Sequence, residues 1–294
     1  MLRVADEVAT LVVSADGRGQ YREIGEALRE APDAARIRVL PGVYRETLTI
    51  DKPVEVIGDG PADQIVVESE GAECLTSSAS AAVVRGLTLR CTNAFAVFIE
   101  RGHLLLEDCD ISSDSAAACL AVHGKADPVV RYCRIRNESQ CGVLVYQGGR
   151  GIFEGCEISG NTPAALEVRE GGDPVVRLCR ISGGVSVVDN GRGTFEDCDV
   201  SGGVRSESEP VVRRCDIHDG AGAGVFVSGQ GGGTFEDCKI FDNALRGVEV
   251  MEGSYPVVRR CKIYDGPTGC TTAGGRGAFE DCEIFGDPPG PLRG

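Results

Sequence analysis

The sequence predicts an all-β chain: a single-stranded right-handed parallel β-helix of about eleven coils, with a short N-terminal capping α-helix. Three observations carry this reading. A phrase built around one Cys recurs about every 23 residues. Each recurrence combines short β-branched runs with Gly, Asp or Asn breaks, which read as strand, turn, strand. A charged residue two places before each recurrence alternates in sign down the chain.

The repeat has two alternating phrases. One is PVVRYCRI at Pro128, PVVRLCRI at Pro174, PVVRRCDI at Pro210 and PVVRRCKI at Pro256. The other is GIFEGCEI at Gly151, GTFEDCDV at Gly193, GTFEDCKI at Gly233 and GAFEDCEI at Gly277. The register Cys runs from Cys109 to Cys282 in steps of 17–24 residues, and Leu87 takes its place one coil earlier. Such a unit is too short for helical-pair repeats and lacks helical periodicity. A second strand follows in each coil, as GVLV at Gly142, GVSV at Gly184, GVFV at Gly224 and GVEV at Gly247.

Stacked coils place equivalent residues about 4.8 Å apart, so the repeat builds ladders. The Cys column and the Ile or Val two residues on form two interior ladders. A third, three residues before the Cys, alternates Val130, Phe153, Val176, Phe195, Val212, Phe235, Val258 and Phe279. A ring above a small side chain fills the interior at native density. The charged column runs Arg85, Glu107, Arg131, Glu154, Arg177, Glu196, Arg213, Glu236, Arg259, Glu280. It reads as an outward salt-bridge ladder that favours one stacking register, because like charges in register repel and opposite ones attract.

The ends divide the chain into residues 1–35 (N-terminal strand and capping helix), 36–286 (the β-helix) and 287–294 (a Pro/Gly-rich tail). YREIGEALREA at 21–31 places Tyr21, Ile24, Ala27, Leu28 and Ala31 on one helical face. Solenoids need such caps over open core and strand edges. The C-terminus shows no equivalent, so self-association or a further domain is expected there.

Composition narrows the function. The chain has 41 Gly, no Trp and 14 Cys among 294 residues, with a net charge of −15. Nucleic-acid binding needs basic patches and is set aside. With no leader-like segment and no long apolar run, the chain reads as cytoplasmic and not membrane-bound. One Cys per repeat, without CxxC pairs or a His cluster, reads as buried reduced thiols and not a metal site.

VVSADGRGQYREIGEALREAP and IRVLPGVYRETLTIDKPVEVIGDG, within residues 12–68, resemble the start of pectin methylesterases and other pectin-lyase-like proteins. The repeats from about 80 to 286 are similar to the β-helix repeats of carbohydrate-binding and sugar-hydrolase modules, and to those of an F-box ubiquitin-ligase adaptor. The resemblance implies the fold. It transfers no catalytic residue, because the esterase motifs Gly-Phe-x-x-Arg-Asp, Asp-Thr-Leu and Gly-Arg-Pro-Trp are missing.

The remaining catalytic candidates are the close acid pairs Asp108 with Asp110, and Asp197 with Asp199. Two near carboxylates can hold Ca²⁺ or act as acid and base. These acids are also repeat positions, so the reading is of surface ladder residues and of no cofactor. The binding candidates are Phe98, Leu144, Tyr146, Phe226 and Met251, outward on the GVxV strands, with His123 nearby. The sequence therefore favours a non-catalytic binding or scaffold module that recognises a protein. The alternative is a pectin-lyase-like carbohydrate-binding protein or a carbohydrate-active enzyme of lyase, esterase or hydrolase type.

Overall fold

The computed structural model describes residues 8–114, 117–160, 164–264 and 270–285. Among these, three parallel sheets wind into one solenoid of about eleven turns. The first sheet has 13 strands, from Thr10–Val13 to Ala278–Glu280. The second has 12, from Gly42–Arg45 to Glu283–Ile284. The third has 11, from Leu48–Ile50 to Cys270–Ala273.

Each coil thus has three strands where the sequence suggested two. The phrase PVVRYCRI is not one strand. Val129–Arg131 belongs to the first sheet and Arg134–Asn137 to the second. Tyr132 between them has φ 55°, and the residue before every register Cys from Cys109 to Cys282 is likewise left-handed. That conformation costs about 1–2 kcal/mol for a non-Gly residue. It is offset because the turned N–H still reaches the next coil: Tyr132 N donates to Glu154 O at 3.0 Å, and Asp197 N to Arg213 O at 3.1 Å.

The interior follows the predicted ladders. Val130, Phe153, Val176, Phe195, Val212, Phe235 and Val258 are all at most 1% exposed. They pair in register, Val130 with Phe153 and Phe153 with Val176. A fully buried side chain of this kind contributes about 1.5–3 kcal/mol. The register Cys thiols, with those of Cys74, Cys91, Cys119 and Cys141, are free and buried, apart from half-buried Cys282. They also donate weak bonds: Cys156 Sγ reaches Val130 O at 3.4 Å in the previous coil and Glu154 O at 3.5 Å in its own.

The charged column lies at the outer edge of the first sheet and is ion-paired between coils. Arg177 Nε sits 3.2 Å from Glu154, Arg213 Nε 3.4 Å from Glu236, and Arg259 Nη2 3.1 Å from Glu236. Glu107 is bracketed by Arg85 and Arg131.

The helix is shorter than its periodicity predicts. Helix α1 spans Ile24–Glu30, and Ile24, Ala27 and Leu28 are buried. Tyr21 instead forms a parallel bridge with Val13. At the other end, Ile284 and Phe285 are exposed; the tail at 287–294 lies outside the described residues.

Candidate functional site

The outer face of the third sheet carries most of the predicted binding residues. Its outward column runs Phe98, Ala121, Leu144, Glu167, Ser186, Arg205, Phe226 and Glu249 on successive coils. Phe98 and Phe226 are therefore far apart, and the predicted residues do not form one patch.

The N-terminal group is a layered cluster. Phe95 stacks on Phe98 at 5.7 Å, Phe98 lies 5.8 Å from His123, and His123 meets Tyr146 edge-on at 5.1 Å. Arg169 lies 5.8 Å over the Tyr146 ring. His123 Nε2 is 2.8 Å from Gln147 Oε1. Leu144 corrects the sequence reading. Its position is outward, yet it is only 5% exposed, because Ala118 and Cys141 pack with it and Phe95 and Tyr146 lie over them. Alternation predicts which way a side chain points, but not what folds across it. Cys141 beneath has its thiol pushed up to about 12 by burial, so it is protonated and unreactive.

The Phe226 group borders a saddle that sequence reasoning missed. Two coils are short: the register Cys advances only 19 residues from Cys179 to Cys198 and 17 from there to Cys215. Their loops between the second and third sheets shrink to Gly183–Gly184 and Gly202–Gly203, all with positive φ. A Cβ on Gly183 would lie 2.3 Å from Gly160 O, and one on Gly202 2.7 Å from Gly184 N. Only glycine permits this backbone and this approach. The result is a depression of about 320 Å³, lined by the four glycines, Ala164, Ala223 and Leu245, and by Arg205, Phe226 and Glu249. Arg205 pairs with Glu207, and Glu249 with Arg246 at 2.8 Å, which fixes the polar groups. Met251 is half-buried, two residues past Glu249 of the outward column. The shortened steps were visible in the sequence, but their meaning depended on where the loops stood.

A larger groove, lined mainly by charged and hydroxyl side chains, lies where second-sheet strands end in the early coils. Two depressions of about 560 and 660 Å³ meet at Arg90 and Thr92. Arg45 and Arg90 flank Glu68 there at 3.7 and 3.8 Å.

The candidate acids do not converge on free space. Asp108 is exposed at a left-handed turn, while Asp110 begins the next strand and is held by Arg136 at 2.7 Å and Arg134 at 3.2 Å. Asp197 takes two 2.8 Å bonds from Arg214, which hold its carboxyl below the usual range. Asp199 accepts from His218 at 2.6 Å and lies 3.5 Å from Arg180. Among the described residues, no three His, Cys, Asp or Glu side chains gather as a metal site would require.

The model of the right-handed β-helix region matches residues 70–206 and 203–288. A pectinesterase of Daucus carota is 34% identical over 91 residues, 27% of this chain and 28% of that enzyme. The matched stretch thus spans less than a third of that relative's length. The structure of pectin methylesterase from carrot aligns with a TM-score of 0.50 at 17% identity, over 80% of this chain and 85% of that one. Alginate lyase from Paenibacillus sp. str. FPU-7 aligns with a TM-score of 0.55 at 10% identity, over 94% of this chain and 99% of the lyase. With family repeats over most of its length and three continuous parallel sheets, this chain belongs to the right-handed β-helix family.

Proposed function

We propose that this chain is a pectin-lyase-like carbohydrate-recognising β-helix, which holds a polysaccharide across the outer face of its third sheet. One observation carries the reading: the glycine saddle that opens beside Arg205, Phe226 and Glu249. Sugar recognition combines an apolar surface for ring C–H faces with a few fixed polar groups for hydroxyls. The saddle supplies both, and its two-coil width suits a single extended chain. The likeness to pectinesterases supports carbohydrate over the protein ligand expected from the sequence. The arginine- and histidine-bound acids support a binding face over a hydrolytic centre.

The test is calorimetric titration with polygalacturonate, alginate and a neutral glucan, alongside assays for de-esterification and chain cleavage. Binding of at least one polymer, lost in Phe226→Asp and Arg205→Ala, is the expected outcome. Binding lost in Arg90→Ala but kept in Phe226→Asp would move the site to the polar groove. No binding to any of the three would discard the reading.

A further inference from the structure

The outer face of the first sheet carries an aliphatic strip beside the charge ladder. The strip runs Val83, Leu105, Val129, Ile152, Val175, Thr194, Val211, Thr234, Val257 and Ala278, paired rung by rung. Apart from exposed Ala278, each is half-buried. Ten rungs at about 4.8 Å make a strip about 43 Å long. At its edge Tyr132 and Leu178 are 59% and 61% exposed. A strip that is apolar at eight of its ten rungs, broken by Thr194 and Thr234 and rimmed by charge, fits a partner surface.

We infer that this face joins two copies of the chain, antiparallel and face to face. The charge ladder selects that partner. It has an even number of rungs that alternate in sign, from Arg85 to Glu280. Take a twofold axis along the strand direction, between the Arg177 and Glu196 rungs. It lays ladder over ladder in reverse order. Arg85 then faces the partner's Glu280, Glu107 the partner's Arg259, and Arg131 the partner's Glu236. Glu154 faces the partner's Arg213, and Arg177 the partner's Glu196. Every rung meets its opposite charge. A twofold axis along the solenoid would instead carry the ladder to the far edge of the strip.

Such a contact is isologous and closes at two copies. It buries a narrow strip, so it belongs at the small end of protein interfaces, and its rim of ion pairs weakens in salt. The third-sheet face stays outside it.

The experiment is sedimentation of the full chain at about 100 µM, with oxidative cross-linking. The wild type is expected to be a dimer that dissociates as salt is raised. Ile152→Glu, at an outward position, is expected to be monomeric with an unchanged circular-dichroism melt. Val129 and Thr234 lie five rungs apart in one chain but oppose each other across the proposed axis. Val129→Cys with Thr234→Cys should therefore cross-link two copies, and Val129→Cys alone should not. A monomer at every concentration, a dimer that survives Ile152→Glu, or a cross-link through Val129→Cys alone would each overturn the inference.

Discussion

Asp199 accepts a 2.6 Å hydrogen bond from His218 Nε2 of the next coil, while Nδ1 of the same ring donates to Asp219 at 2.8 Å. Two carboxylates need two N–H donors, and only the imidazolium has both. The ring also stacks on Phe241 at 5.0 Å. Burial pulls the His218 pKa down, but bonds and charge from Asp199 and Asp219 outweigh it and leave the pKa above its usual value. A raised folded-state pKa gives stability that is complete below the unfolded value, near 6.5, and lost as pH rises through the folded one. Thermal melts should therefore fall between mildly acidic and mildly alkaline pH. His218→Asn should flatten that fall; an equally steep fall in the variant would remove His218 as its source.

The ladder makes a prediction about register. Arg177→Glu inserts an acid between Glu154 and Glu196, so that three neighbouring rungs carry like charge where the wild type has an ion pair at 3.2 Å. Arg177 is well exposed, so the loss is at most about 1 kcal/mol. It should appear as a lower Tm in dilute protein at low salt and shrink as salt is added. An unchanged Tm at low salt would show that the ladder contributes nothing to stacking.

The alternating interior predicts a larger effect. Phe195 fills the space between Val176 and Val212 and is 1% exposed. Phe195→Ala leaves a cavity the flat stack cannot close, at a cost of about 3–5 kcal/mol. Urea unfolding should register it as an earlier midpoint. A loss below about 1 kcal/mol would mean that the coils slide together to refill the gap.

Helix α1 is held from both ends by the coil beneath it. Glu46 takes the N–H groups of Ile24 and Gly25 at 2.8 and 2.7 Å, and Lys52 Nζ donates to the carbonyls of Arg29 and Ala31 at 3.1 and 2.9 Å. Glu46→Ala leaves two helix donors without their acceptor, which costs about 1–3 kcal/mol. Hydrogen exchange should show Val13 and Ile37, next to the cap, losing protection before the central coils. Uniform loss along the solenoid would argue against a local cap.

The coil number, the Val/Phe interior, the buried thiols and the charge column were legible because each is a strict repeat, and stacking turns sequence period into spatial register. The third strand was not legible, because a single left-handed residue such as Tyr132 or Leu178 makes that corner and neither residue type announces it. For the site, the sequence named Phe226 but not the saddle beside it. It named Leu144 as outward without showing that Phe95 and Tyr146 lie over it.

By itself the sequence determined which residues stack on which, since a parallel solenoid has a one-dimensional register, set here where Val meets Phe and Arg meets Glu. The tertiary structure alone decided what stands across that axis: which loops shorten into a saddle, which acids meet a cation, and which aliphatic column remains uncovered. Those relations join residues through the winding of the coil, and no period in the chain encodes them.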